Sequence, residues 1–193
     1  CQGDSDTQLL LSKDTTGYTL ALRDNATERY DLNGKLLAEK DSSGQTTSYT
    51  YDANGRLFTV TDPFGHQLTF TYNSGVWSKL TDPTGQVFQY NYTAAGGFAN
   101  LTRVDYPDTT AKLYHYENAS FPNHLTGISY VDAGGVTTRF STYAYDATGR
   151  ATLTQHAQTD NGAPQEKFTL IYNSGSLTTV NDPVGMSEVM TFT

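Results

Sequence analysis

The sequence predicts an all-β protein made of tandem antiparallel β-hairpins, two strands to a repeat. Three observations carry this. Tyrosines recur on a near-fixed spacing: Tyr30, Tyr51 and Tyr72 stand 21 residues apart, and Tyr92, Tyr116, Tyr145 and Tyr172 continue the series less evenly. Self-similarity at such a period marks a repeat architecture. Two turn signals lie inside each unit, and the segments between them are short and rich in Thr, Val, Leu, Phe and Tyr. No stretch shows a convincing helical period, so helix content is expected to be low.

The elements follow in order. Residues 1–14 form an N-terminal segment whose nearest approach to a helical pattern, Asp4 to Leu11, is short enough to be a strand instead. From residue 15 to residue 193 the chain reads as one array. The first turn of each unit is Asp/Asn-x-x-Gly or a shortened form: Asp31-Leu32-Asn33-Gly34, Asp52-Ala53-Asn54-Gly55, Asn73-Ser74-Gly75, Asp146-Ala147-Thr148-Gly149 and Asn173-Ser174-Gly175. The second turn is Asp41-Ser42-Ser43-Gly44, Asp62-Pro63-Phe64-Gly65, Asp82-Pro83-Thr84-Gly85 or Asp182-Pro183-Val184-Gly185. Asp or Asn caps such a turn with its side chain, Pro presets φ, and Gly accepts positive φ. Gln67 to Tyr72 alternates strictly, and Gln86 to Tyr92 does so apart from Val87, which predicts half-buried strands.

The second half is looser. Tyr92 to Tyr116 is a degenerate copy, with Ala95-Gly96-Gly97 and Tyr106-Pro107-Asp108 as its turns. Two insertions, Asn118 to Asn123 and Asp160 to Pro164, stretch the copies after it. Loop closure costs little extra per added residue, so these read as drift or as a contact surface.

Composition narrows the function classes. A chain of 193 residues can bury one sizeable domain, and its 14 Tyr and 9 Phe argue against disorder despite a hydrophobic share of 36%. Net charge is −8 with no basic cluster, which disfavours nucleic acid. No apolar run approaches a membrane span. Cys1 is the sole cysteine, so no intrachain disulfide forms; a leading cysteine also suits lipoprotein anchoring.

Tyr30-Asp31-Leu32-Asn33-Gly34-Lys35-Leu36, Tyr51-Asp52-Ala53-Asn54-Gly55-Arg56-Leu57 and Tyr145-Asp146-Ala147-Thr148-Gly149-Arg150 resemble the YD repeat of the RHS (rearrangement hotspot) family. The partner motif, Asp-Pro-x-Gly before an aromatic strand, matches at Asp62 to Tyr72, Asp82 to Tyr92 and Asp182 to Phe192, and Gly17 to Tyr30 looks like lead-in strands. The resemblance implies a curved, spirally wound sheet that forms part of a shell. In bacterial polymorphic toxins, insecticidal toxin complexes and teneurins the strip closes into a hollow shell, which in the bacterial members encloses a toxic polypeptide. About seven hairpins would supply only a curved segment. Nothing here resembles a toxin domain or the Arg-Tyr-Tyr-Asp-Pro core that ends such arrays.

No constellation suits chemistry. Asp182-Pro183-Val184-Gly185-Met186 is similar to the segment at which RHS cores cleave themselves, yet it occupies an ordinary second turn. His66, His115, His124 and His156 are scattered without ligand spacing, and the turn aspartates lack the dense carboxylates of a calcium loop. The reading is therefore no catalytic, cofactor or metal residue. Function is expected in a non-catalytic encapsulating module of a secreted or surface protein, partnered by the rest of a shell or another copy through edge strands, and enclosing a polypeptide. Leu68, Phe70, Phe88, Tyr90 and Tyr114 would point inward. The alternative is a surface module that binds carbohydrate or protein, with Trp77, Tyr90 and Tyr114 facing the ligand. An open strip also leaves edge strands that attract another chain unless the N-terminal segment covers one.

Overall fold

The computed structural model describes residues 9–158, 164–174 and 176–191, and among them all regular structure is β. Cys1, most of the second insertion and Gly175 lie outside the described residues. The chain divides into two compact units, Cys1–Val87 and Phe88–Thr193.

The first unit holds β1 (Leu10–Lys13), β2 (Tyr18–Ala21), β3 (Thr27–Tyr30), β4 (Leu36–Lys40), β5 (Thr46–Tyr51), β6 (Leu57–Thr61), β7 (Gln67–Asn73) and β8 (Val76–Thr81). Each pairs antiparallel with the next in sequence. Strand β9 (Val87–Ala95) starts at the unit boundary. The second unit continues with β10 (Phe98–Asp105), β11 (Ala111–His115), β12 (Gly127–Val131), β13 (Thr137–Tyr145), β14 (Ala151–Gln158), β15 (Pro164–Ser174), β16 (Leu177–Asn181) and β17 (Ser187–Thr191), again as an antiparallel meander. The fold is thus tandem antiparallel hairpins, as the tyrosine period predicts. Of the ambiguous stretch Asp4 to Leu11, Leu10 and Leu11 belong to β1, and residues 4–8 lie outside the described residues.

Eight turns share one geometry, at Asp31, Asp41, Asp52, Asp62, Asp82, Asp132, Asp146 and Asp182. In each, the aspartate N–H donates to the carbonyl four residues on, and the glycine three residues on donates back. That is a three-residue hairpin loop, a type I turn followed by a left-handed residue. The glycines at that third place have φ between 77° and 89°, the region where a Cβ is strained. One carboxylate oxygen of each aspartate accepts the N–H groups two and four residues on, all at 2.8–3.0 Å. The turn Asp132-Ala133-Gly134-Gly135 carries the same signal and belongs with them.

Two fully described first turns differ from the Asp-x-x-Gly form. Ser74-Gly75 and Gly96-Gly97 are two-residue loops with both φ values positive, the type I′ geometry that suits strand twist. The second turn of the degenerate copy keeps the backbone pattern with Tyr106 in the aspartate's place and Thr109 in the glycine's, at φ 69°.

Alternation of burial is clean in β5 and β12 and blurred in strands such as β7 and β9. Only Val104, Ala111 and Val131 are buried hydrophobic residues among those described, while Thr59, Ser78, Asn100, Thr126, Ser129, Ser141 and Thr178 are buried polar ones. A meander with little packed against it leaves both faces partly wet. Leu68, Phe70, Phe88, Tyr90 and Tyr114 are accordingly half-buried.

Candidate functional site

The period of the sequence has a physical origin in a ladder that ties each hairpin to the next. Opposite the repeat tyrosines the strands bulge. Tyr30 faces Leu36 while Arg29 faces Ala38, Tyr51 faces Leu57 while Thr50 faces Thr59, and Tyr145 faces Ala151 while Ala144 faces Leu153. A bulge disrupts ladder pairing locally and sharpens strand twist. The tyrosine of the next repeat reaches that point: Tyr51 Oη donates to Leu36 O at 2.8 Å, Tyr72 Oη to Leu57 O at 2.9 Å and Tyr172 Oη to Ala151 O at 2.8 Å. Across the first insertion Tyr145 Oη donates to Leu125 O at 2.7 Å.

The residue after the turn glycine completes the joint. Lys35 Nζ lies 4.8 Å from the centre of the Tyr51 ring and donates to Gly55 O at 2.8 Å. The guanidinium carbons of Arg56 and Arg150 lie 4.3 and 4.2 Å from the centres of the Tyr72 and Tyr172 rings. Both arginines also donate through Nε to the free oxygen of their own turn aspartate, Arg56 to Asp52 at 2.8 Å and Arg150 to Asp146 at 2.7 Å. Each letter of Tyr-Asp-x-x-Gly-Arg therefore has a task. The tyrosine tethers backward, the aspartate caps, the glycine turns, and the arginine holds the carboxylate while covering the next tyrosine. A joint sums one neutral hydrogen bond and one cation–π contact, on the order of 1–2 kcal/mol.

These contacts also set the local electrostatics. Hydrogen bonds from the Arg56 backbone and side chain hold the Asp52 carboxyl below the usual carboxylate range. The hydroxyls of Ser43, Thr84 and Thr148 do the same for Asp41, Asp82 and Asp146. Burial raises the hydroxyl pKa of Tyr51, Tyr90, Tyr92 and Tyr145.

Trp77 rests on Phe70 with ring centres 5.5 Å apart, and its Nε1 donates to Lys79 O at 2.8 Å. Tyr114 takes Lys112 Nζ at 5.8 Å from its ring centre, and Lys112 also lies 5.5 Å from that of Tyr130. A row of rings continues from Tyr130 through Phe140 to His156, at centre spacings of 5.1 and 5.4 Å. Each histidine has its own surroundings: His66 meets Asp62, His115 meets Ser129, His124 lies between Phe121 and Tyr145, and His156 meets Glu166. Among the described residues no group of three or more His, Cys, Asp or Glu could hold a metal ion, and no helix is long and apolar enough to cross a membrane.

The motif as folded matches a known family: the model described as RHS Repeat fits residues 30–67 and 51–75. Residues 30–75 are RHS repeats. No curated protein matches it. Among solved structures, a Tc holotoxin pore from Photorhabdus luminescens is similar at a TM-score of 0.45 and 13% identity, over 96% of this chain and 13% of that one. A TcdB2–TccC3 complex gives a TM-score of 0.45 at 14% identity, over 95% of this chain and 13% of that chain. The chain thus spans about an eighth of the length of the structures it resembles.

Tyr51, Tyr72, Tyr145, Asp52 and Asp146 stand at the joints, and Gly34, Gly55, Gly65, Gly85, Gly149 and Gly185 at the left-handed turn positions. Tyr30 sits at a bulge without a preceding joint among the described residues and donates to Glu28 at 2.5 Å. Pro63, Pro83 and Pro183 occupy the second place of their turns. The cationic partners Lys35, Arg56 and Arg150 were legible as the basic residue after each Tyr-Asp-x-x-Gly. The contact of Glu117 with Arg139, 22 residues apart across the first insertion, left no signal.

Proposed function

We propose that this chain is a non-catalytic structural module, residues 15–193 acting as one array, of an RHS-type secreted or surface protein that helps to enclose and deliver a polypeptide such as a toxin or effector. The turns and joints described above support a scaffold, since their polar groups are spent on one another. The observation that carries the reading is the state of the outermost described strands. β1 covers the outer edge of β2, as the N-terminal segment was expected to be able to do, and in turn exposes Leu10 at 69% and Leu11 at 51%. At the other end β17 exposes Val189 at 57% and Met190 at 39%. An apolar strand at a free edge is a template for further pairing. Its natural partner is another hairpin of the same kind, from a longer strip or a second copy.

Limited proteolysis of the parent protein tests this. An enclosed polypeptide is expected to resist protease while the array is intact and to be digested once Tyr51→Ala and Tyr145→Ala open two joints. Equal digestion in both cases contradicts enclosure. Within the second unit Tyr90 lies near Tyr106 and Tyr114, and Lys112 lies against the rings of Tyr114 and Tyr130, which supports the second reading, a carbohydrate- or protein-binding surface; Trp77, in the first unit, is a separate candidate for it. Saturable glycan binding lost on Trp77→Ala or Tyr90→Ala would favour it over the shell, and absence of binding removes it.

A further inference from the structure

The first insertion leaves β11 after His115 and returns to β12 at Gly127, and one side chain from β13 closes it. Arg139 donates to Glu117 Oε1 at 3.1 Å and Oε2 at 3.0 Å, at one end of the loop. It donates to Thr126 O at 2.9 Å at the other end and, through Nε, to Ser141 O at 2.9 Å. Glycine at position 127 makes the seat, because a Cβ there would stand 2.1 Å from the guanidinium. Thr126 Oγ1 lies 2.9 Å from Glu117 Oε2 and accepts the Glu117 N–H at 3.0 Å. Beyond this clasp the loop folds over the neighbouring turns: Asn100 Nδ2 donates to Pro122 O at 2.8 Å, and Phe121 and His124 pack against Gly149.

A titratable group stands beside the clasp. His115 Nε2 is 2.8 Å from the buried Ser129 Oγ, and Nδ1 is 3.8 Å from Glu117 Oε1. The charged groups acting on its ring are Arg139 from β13 and Glu117 from the loop; Ser129 on β12 is neutral. We propose that His115 is a proton-operated release for the Arg139 clasp, so that acidification loosens the loop from residue 117 to residue 126. When the imidazole gains a proton, Nδ1–H becomes a second cationic donor competing for the one carboxylate of Glu117, and the two positive groups repel each other.

The direction follows from linkage. Burial, with Arg139 adding to it and Glu117 opposing, lowers the His115 pKa from its ordinary value of 6.5. The closed loop therefore binds the proton more weakly than the open one. Its extra stability is complete above the ordinary value and is lost as pH falls through the lowered one.

Amide hydrogen exchange across residues 117–126 of the intact chain, corrected for the intrinsic rate, tests the release between pH 7.5 and 5.0. Protection is expected to fall on acidification, by at most about tenfold per pH unit for one proton. His115→Gln, which keeps a polar group toward Ser129, is expected to flatten the response. His124→Gln, on the same loop, is expected to keep it. A flat profile in the unaltered chain, or the same fall in His115→Gln, overturns the proposal. Should the variant misfold, NMR titration of the unaltered chain decides. A His115 midpoint below 6.5, with Glu117 and Thr126 amide shifts following it, supports the release; a midpoint at or above 6.5 refutes it.

Discussion

Replacing Tyr51 by Phe removes a single oxygen from one joint and so isolates the tether. The hydroxyl donates to Leu36 O at 2.8 Å from a half-buried position. A neutral hydrogen bond nets about 0.5–1.5 kcal/mol, and the half-buried setting lets water reach the orphaned carbonyl, so the expected loss is about 1 kcal/mol. The ring and its contact with Lys35 at 4.8 Å survive. Tyr51→Ala removes these as well. Half the area of a fully buried tyrosine is roughly 100 Å², worth about 2.5 kcal/mol, so that variant should lose about 3–4 kcal/mol in all. Urea unfolding and thermal melts followed by circular dichroism would measure both, with a Tm drop of about 2–4 °C for each kcal/mol in a chain of this size. Tyr51→Phe and Tyr145→Phe lie in different units, so their losses should add. If Tyr51→Phe costs nothing while Tyr51→Ala costs the full amount, the tyrosine packs without tethering, and the account of the period fails.

Other expectations concern the turns. The carboxyls of Asp41, Asp52, Asp82 and Asp146 are lowered by the hydrogen bonds they accept, so each contributes stability above the ordinary carboxylate pKa and loses it as pH falls through the folded value. Urea midpoints should accordingly be level near neutrality and drop below about pH 4, less so in Asp52→Asn; a midpoint indifferent to acid would contradict the capping role. Thr109, β-branched at φ 69°, should be replaceable by Gly with a gain of about 0.5 kcal/mol, the relief of strain outweighing the added chain entropy. Gly65→Ala should cost about 1 kcal/mol through φ alone, since nothing lies within 4 Å of the added carbon. Equal melting temperatures for these variants and the parent would show that φ at the third turn position matters little.

The hairpins were legible because turn chemistry is local. Asp, Gly and the tyrosine spacing declare themselves within a few residues, and even the unnoticed turn at Asp132 carries the same letters. The joints were only half legible. The repeat named the tyrosine and the arginine, but the carbonyl each tyrosine reaches is set by a bulge, which depends on cross-strand register. The clasp of Arg139 on Glu117 was not legible, because its two ends meet only after the insertion has folded back. The expected alternation of burial blurred for a related reason: it presumes one dry face, whereas the described strands bury small polar side chains such as Ser78 and Ser129 more fully than most of their aromatic rings.

The central claim is that the strip is built to be continued at its edges. Sedimentation velocity over a wide concentration range measures this directly, comparing the chain with a variant carrying Leu10→Lys and Val189→Lys. The unaltered chain is expected to pass from monomer to larger species as concentration rises, and the variant to stay monomeric because edge lysines block pairing. A single monomeric species for the unaltered chain at every concentration would contradict the account.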